Sequence, residues 1–211
     1  MKKFITTITQ KIEYMAARNS FVYEIVALYY KDIVKKEAEL ADIRENDRVL
    51  CIGGGACPFS AIMLHRLTRA KITVIDNNLN CVLVSRHAIS QMGYSNSIEI
   101  LYDDGCTIDP YKSSVVHLAL QVCPLEQVFQ TVKDRVAPGT RILVRKPKES
   151  IKELYSDMNI GMFQGCKRIT HKYLCNLGET ILYQKRELGH ETKMDMAKYR
   201  DCLSDSYSIK D

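Results

Sequence analysis

The sequence has 211 residues, 46% of them hydrophobic, and a formal net charge of +5 at pH 7. A chain of this length and apolar content can bury a core of its own, so its composition excludes a disordered protein. It has no run of about 18 uncharged apolar residues, and its start is too polar for a signal peptide, so we expect a cytoplasmic protein without a membrane span. Eight scattered cysteines without a secretory signal predict reduced thiols rather than disulfides.

The first part of the chain predicts two helices. Apolar residues recur at helical spacing over residues 3–17, and Asn19 and Ser20 then offer an N-cap for a second helix that runs from Phe21 to about Ala41. Charged residues on the second helix lie mostly opposite an apolar stripe. The stripe consists of Phe21, Val22, Ile25, Leu28, Tyr29 and Ile33. We expect residues 1–43 to form an N-terminal helical cap over the ligand edge of a sheet.

Residues 44–187 alternate short apolar runs with amphipathic segments, which predicts a doubly wound α/β fold with a mostly parallel sheet. The predicted strands are 48–52, 71–76, 98–102, 115–122 and 140–144. The predicted helices are 58–69, one that Asn77 or Asn78 caps and Gly93 ends, and one that begins at Pro124.

A further helix is predicted over about 149–160, followed by an antiparallel hairpin of 166–174 and 179–186 around Asn176, Leu177 and Gly178. A parallel sheet that finishes in a hairpin is the outline of the Rossmann-like class I S-adenosylmethionine (SAM) transferases. Residues 188–211 form a polar tail without a clear pattern.

Three consecutive glycines, Gly53, Gly54 and Gly55, lie between the first strand and the next helix. Glycine can take backbone conformations closed to other residues, and it lets a ligand approach the main chain. The second strand ends in a carboxylate at Asp76, where an acid can accept both hydroxyls of a ribose. Together these features predict a nucleoside site at the carboxyl edge of the sheet.

The spacing of the glycines excludes two classes of nucleotide. A nicotinamide cofactor requires Gly-x-Gly-x-x-Gly, but Pro58 occupies the last position, and no Gly-Lys-Ser/Thr sequence is present for a triphosphate. SAM is a nucleoside without phosphates and fits this pattern. Another nucleotide and a purely structural turn are the alternatives.

Two further groups of polar residues extend the predicted site. Asn77 follows Asp76 and is a second candidate for the ribose. Asp103 and Asp104 follow the third strand, where this fold usually places an acid or amide near adenine, although an aspartate there can also stabilise a turn.

Metal and nucleic-acid sites are not expected. In an extended strand Cys166 and Cys175 point to opposite faces, so with His171 they cannot share one ion. The fourth strand ends in Leu120-Gln121-Val122-Cys123-Pro124, which lacks the Asn/Asp-Pro-Pro-aromatic sequence of base-methylating enzymes. The basic cluster of Arg141, Arg145, Lys146, Lys148 and Lys152 is interpreted as a solvated face, with an anionic substrate or nucleic acid as the alternative.

One family accounts for two unusual positions in the glycine motif. Cys51 and Cys57 stand where typical class I methyltransferases have an acid and a third glycine. The segment from Ile52 to Ile62 resembles the Gly-Ser-Gly-Pro-hydrophobic-Pro motif of nicotianamine synthase and its relatives. Tyr29-Tyr30 with Lys36-Glu37, and Ala137-Pro138-Gly139 with Leu143-Val144-Arg145, resemble two further patterns of that family.

The resemblance implies a SAM-dependent transferase that acts on a small molecule. The reaction is either methyl transfer, which we favour, or transfer of the 3-amino-3-carboxypropyl group to an amine. It also implies Tyr30 and Glu37 as catalytic residues, and their spacing of seven places them on one face of the second helix. Family members carry a substantial helical domain before the sheet, whereas about 45 residues precede it here, so a SAM-binding regulatory module is the third possibility. No sequence pattern specifies the acceptor or the oligomeric state.

Overall fold

The computed structural model describes residues 11–156, 158–171 and 176–186. Its seven-stranded sheet has the order β3-β2-β1-β4-β5-β7-β6. Strands β1 to β5 pair in parallel, while β7 is antiparallel to both β5 and β6. The strands are β1 Arg48–Ile52, β2 Lys71–Asp76, β3 Ile98–Tyr102, β4 Val115–Leu118, β5 Arg141–Pro147, β6 Lys167–Thr170 and β7 Leu177–Gln184. The predicted doubly wound, mostly parallel fold with a terminal hairpin is confirmed.

Helices cover both faces of this sheet. The helices are α1 over 11–18 of the described residues, α2 Ser20–Leu40, α3 Phe59–Thr68, α4 Leu79–Gln91 and α5 Leu125–Arg135, with two 3-10 helices at Glu149–Leu154 and Ile160–Phe163. No helix in the described part of the chain has the length and apolar character needed to cross a bilayer.

Alternation along the strands divides the core into two layers. Val49 and Cys51 of β1 pack with helices α1 to α4, whereas Leu50 and Ile52 pack with α5 on the other side. Successive residues of a strand point to opposite faces, so a strand covered on both faces reads as a continuous apolar run. Strand β4 is such a run, since all four of its residues are buried.

Two asparagines begin helices as the sequence predicts. The Asn19 side chain accepts hydrogen bonds from the backbone N–H groups of Phe21 and Val22, and it caps α2. Asn78, rather than Asn77, accepts from the N–H groups of the first turn of α4. The helix after each cap therefore starts within one residue of the predicted place.

Two segments in the second half of the chain differ from prediction. Strand β4 stops at Leu118, and the next four residues turn back through a hydrogen bond from the Val122 N–H to the Ala119 carbonyl. Residues 149–160 do not form one α-helix. The Ser156 hydroxyl accepts the Leu125 N–H, which ties this segment to the start of α5 and leaves only short 3-10 turns.

The hairpin turn is shorter than predicted. Leu177 and Gly178, predicted as part of the hairpin turn, belong to β7. The tail 188–211 and the first part of the helix predicted over 3–17 lie outside the described residues.

Helix α2 presents to the core a face that only partly matches its predicted apolar stripe. Phe21, Ile25 and Leu28 are more than half exposed, whereas Ile33 of the stripe is buried. The other buried residues of the helix are Tyr23, Ala27, Val34, Glu37 and Ala38. The alanines bring the α2 backbone close to its neighbours. Two tyrosines seven residues apart, Tyr23 and Tyr30, then stack on the ring of Phe59 in α3, with centroid distances of 5.3 and 5.4 Å.

Candidate active site

A cavity of about 640 Å³ opens at the carboxyl edge of the sheet, between the strand ends and helices α1 and α2. This volume lies within the range of small-molecule sites. Its walls include 53–55, 76–78, 103–105 and 119–123 from the loops, Glu13 from α1, Tyr30 from α2, and His117 and Arg145 from the central strands. Every predicted cofactor-binding residue therefore lines one cavity.

The glycine turn after β1 requires its glycines. Gly53 has a φ of +84°, and both its N–H and that of Gly54 donate to the Ile75 carbonyl, at 2.9 and 3.2 Å. A Cβ atom on Gly54 would lie 2.2 Å from a methyl group of Val74, and one on Gly53 would lie 3.0 Å from Val122. The turn is thus packed directly on the end of β2 and exposes main chain to the cavity.

Asp76 is held by the loops on either side of it. One carboxylate oxygen accepts the Gly55 N–H at 2.8 Å, and the other accepts the Asn78 N–H at 2.9 Å. A carboxylate has about four acceptor positions, so each oxygen of Asp76 can accept a further hydrogen bond. Its orientation is fixed by the backbone, and its remaining acceptor positions are available to a ligand in the cavity.

Asp103 and Asp104 make local turn bonds. The Asp103 carboxylate accepts the N–H of Asp104 at 2.7 Å, and the Asp104 carboxylate accepts the N–H of Cys106 at 2.8 Å. Both residues also line the cavity. The turn-stabilising role is therefore present in the structure, and contact with adenine stays a prediction.

Tyr30 contributes a neutral phenol to the cavity. Its ring stacks on that of Phe59, and the central carbon of the Arg145 guanidinium lies 5.8 Å from the centroid of the Tyr30 ring. Burial raises the pKa of Tyr30 to about 12, against a smaller lowering effect of Arg145. At neutral pH the hydroxyl keeps its proton, so it can orient a ligand by a hydrogen bond.

Glu37 lies behind the cavity wall rather than in it, with no exposed surface. Arg145 donates two hydrogen bonds of 2.7 Å to its carboxylate, Thr180 donates one of 2.8 Å, and His117 lies at 3.3 Å. Burial alone would raise the pKa of Glu37, but the charge and hydrogen bonds of Arg145 lower it far below its usual value. Burial and Arg145 also lower the pKa of His117, so Arg145 is the cation that keeps Glu37 ionised at neutral pH.

Arg145 and His117 both line the cavity. The interpretation of the basic cluster as a solvated face is wrong for Arg145, which is only 4% exposed and bonded to Glu37. The apolar pattern around His117 indicates a packed or a surface residue, and the structure shows it packed in β4. Both residues lie beside the cavity because β4 and β5 are neighbouring strands at the centre of the sheet, and the linear sequence does not show this.

Glu13 is a residue of the cavity that sequence reasoning missed. One of its carboxylate oxygens accepts the Ala56 N–H of the glycine turn at 3.2 Å. Burial, followed in effect by the nearby charge of Asp76, raises the pKa of Glu13 to about 7, although the Ala56 hydrogen bond opposes this. Residues 13 and 56 are 43 positions apart, and no helical period or motif spacing connects them.

Comparison with known proteins places this geometry in a fold family. No protein-family model matches the sequence, and the search of curated proteins gave no significant match. Among solved structures, a mutant of nicotianamine synthase MtNAS in complex with S-adenosylmethionine has a TM-score of 0.74 and 22% identity, over 89% of this chain and 77% of that one. MtNAS in complex with MTA and tNA has a TM-score of 0.73 and 23% identity, over 89% and 75%.

The similarity extends to methyltransferases. An RNA methyltransferase from Salinibacter ruber in complex with S-adenosyl-L-homocysteine has a TM-score of 0.60 and 19% identity, over 75% of this chain and 93% of that one. Similarity at these identities establishes the fold. The chain has the class I SAM-transferase fold, with a resemblance to nicotianamine synthase.

Proposed function

We propose that this protein is a SAM-dependent transferase that acts on a small molecule, and that it transfers a methyl group. The observation that carries the proposal is the glycine turn: it fixes the Asp76 carboxylate through the Gly55 N–H at the opening of a cavity sized for a small molecule. Asp76 would accept the ribose hydroxyls, with Asn77 beside it. Asp103 or Asp104 would contact adenine, and the main chain of Gly53–Gly55 would lie against the rest of the nucleoside.

SAM supplies a sulfonium, which activates each carbon bonded to it. The protein therefore has to hold an acceptor in line with one C–S bond and accept its proton. Tyr30 lines the cavity as a neutral phenol and would orient the acceptor. Tyr30→Phe keeps the stacking on Phe59, so it should lower turnover more than SAM affinity; equal turnover would remove Tyr30 from the mechanism.

Glu37 would act through its neighbours. It fixes Arg145 and His117, whose side chains reach the cavity, while it has no exposed surface of its own. In this proposal Glu37 is a positioning residue, and the domain limits of 1–43, 44–187 and 188–211 are kept as predictions.

Transfer of the aminocarboxypropyl group to an amine is the second candidate. The structural match supports it, because the TM-score with MtNAS is 0.74 and that with the RNA methyltransferase is 0.60. The two reactions use the same sulfonium and differ in which carbon faces the acceptor.

Two measurements test the function. SAM should raise the melting temperature, whereas NAD and ATP should not, since a ligand at 100 times its dissociation constant adds about 2.7 kcal/mol to the free energy of unfolding. Asp76→Ala should reduce this shift. No shift with millimolar SAM in the wild type would contradict the proposal.

Product analysis then separates the reactions. Incubation with SAM and panels of amines, thiols and small metabolites should give S-adenosylhomocysteine for methyl transfer and methylthioadenosine for aminocarboxypropyl transfer. Binding of SAM without either product across the panel would favour a regulatory module.

A further inference from the structure

The cavity carries more negative than positive charge. Among the described residues that line it, four are acidic: Glu13, Asp76, Asp103 and Asp104. Its one arginine, Arg145, already forms a double hydrogen bond with Glu37 behind the wall, and no lysine lines the described part of the cavity. The protein itself therefore does not balance the charge of these carboxylates.

Two of the acids sit side by side on the glycine turn. Asp76 accepts the N–H of Gly55, and Glu13 accepts the N–H of the next residue, Ala56. Glu13 touches the turn closely, since a Cβ atom on Gly55 would lie 2.2 Å from its nearer oxygen. A buried carboxylate beside a second carboxylate is unfavourable unless a cation lies between them or one of them takes up a proton.

The residues present do not suggest a metal ion. No group of three or more His, Cys, Asp or Glu side chains with metal-binding geometry occurs in the described ranges. An organic cation needs no such coordination, because an ammonium or sulfonium group can rest against one or two carboxylates.

We propose that Glu13 binds the sulfonium of the bound SAM and thereby makes the site prefer SAM to its uncharged-sulfur product. This inference rests on the proposed function. SAM has a sulfonium and an α-ammonium group, whereas S-adenosylhomocysteine retains only the ammonium group, and methylthioadenosine lacks both. Transfer thus removes the charge that Glu13 recognises, which weakens product binding.

Strand β1, Arg48–Ile52, contains no acidic residue next to the glycine turn. Glu13 reaches this turn from α1 and supplies the acid there.

The test compares ligand affinities in wild type and Glu13→Gln. Calorimetry gives the dissociation constants of SAM, S-adenosylhomocysteine and methylthioadenosine for each protein. Glutamine keeps the size of the side chain and an oxygen for the Ala56 N–H, and it loses only the charge. We expect SAM affinity to fall about tenfold or more and methylthioadenosine affinity to stay within about twofold. Glu24→Gln, an exposed substitution on α2, is the matched control and should change neither.

Each outcome decides the proposal. A loss confined to SAM identifies the sulfonium as the partner of Glu13, whereas an equal loss for SAM and S-adenosylhomocysteine identifies the ammonium and overturns the proposal. Unchanged SAM affinity, or an equal loss for all three ligands, overturns the proposal and leaves the SAM-dependent function standing. A wild type that binds no SAM contradicts the proposed function itself.

A pH series gives a second readout. The groups around Glu13 are Asp76 at the end of β2, Tyr14 on α1, Tyr30 on α2, Cys57 after the glycine turn and Cys81 on α4. The pKa of Glu13 is about 7, so below pH 7 its carboxyl group is mostly protonated. A cation that binds there must first displace this proton, which lowers its affinity. SAM affinity of the wild type, relative to Glu13→Gln, should therefore increase from pH 6 to pH 8. The comparison cancels the titration of SAM's own amino group, at about 7.7–8.0, which both proteins experience. A constant ratio would contradict the proposal.

Discussion

Hydrogen bonds from Arg145, Thr180 and His117 converge on the Glu37 carboxylate, which water does not reach. Such a network holds each member in one orientation, because losing any partner leaves a buried polar group unsatisfied. This network holds Arg145 and His117 in place at the cavity. A buried ion pair by itself is weak evidence of stabilisation.

Glu37→Gln tests this role. The substitution leaves Arg145 buried without a counter-charge, so we expect the free energy of unfolding to fall by about 3 kcal/mol. SAM affinity should change little, because Glu37 does not line the cavity. Turnover should fall more, because Arg145 and His117 lose the partner that holds them at the cavity. Urea unfolding and steady-state kinetics measure the two effects.

The control is the double variant Glu37→Gln with Arg145→Met. Removing both charges should recover much of the lost stability but not the turnover, since replacing a buried ion pair by apolar groups is often neutral. A single variant as stable as the wild type would show that the pair is not buried as described.

Among the elements, helix α2 shows which side chains attach the N-terminal helices to the sheet. Its buried face contains alanines, Val34, Ile33 and Tyr23, while Ile25 and Leu28 point outwards. Val34 has no exposed surface, whereas Leu28 is 70% exposed. The contribution of a side chain to stability follows burial rather than hydrophobicity alone.

Val34→Ala should therefore lower the free energy of unfolding by about 2 kcal/mol, the cost of two buried methyl groups and the space they leave. Leu28→Ser should change it by less than about 0.5 kcal/mol, although it is the more drastic change in polarity. Thermal or urea unfolding of the two variants provides the comparison. A larger effect at Leu28 would mean that something covers the outer face of α2.

These elements also show what sequence reasoning can reach. The bounds of β1, β2 and β3 were predicted to the residue, because short apolar runs between polar turns leave little choice of register. The buried face of α2 was predicted only at Ile33, since the alanines that make up much of this face carry little hydrophobic signal. Glu13 and Arg145 are brought to the site by contacts between residues far apart in the sequence, and these contacts cannot be read from a local sequence pattern.

At the scale of the molecule, the polar network joins α2, β4, β5 and β7 into one unit. Glu37, His117, Arg145 and Thr180 come one from each, and Thr180 in turn bonds His171 at 2.8 Å. Helix α2 is thus tied to the centre of the sheet and to the hairpin. Protonation changes within this unit and at Glu13 should therefore appear in the stability of the whole protein.

Without ligand, the free energy of unfolding should depend on pH through Glu13. The pKa of Glu13 is raised from 4.5 to about 7, so its contribution is fully present below pH 4.5 and is lost as pH rises through 7. The loss amounts to at most about 3 kcal/mol. Glu37 acts in the opposite sense, because its lowered pKa gives stability that is lost as pH falls below 4.5.

His117 and His171 also oppose Glu13, since burial lowers their pKa values and their contribution is lost as pH falls below 6.5. The difference in the free energy of unfolding between wild type and Glu13→Gln isolates the contribution of Glu13. At pH 8.5 Glu13→Gln should be more stable than the wild type, and at pH 5 the two should be about equal. Urea unfolding at both pH values measures the difference. A constant difference across this range would mean that Glu13 keeps its ordinary pKa, and the two carboxylates on the glycine turn would then coexist without a cation.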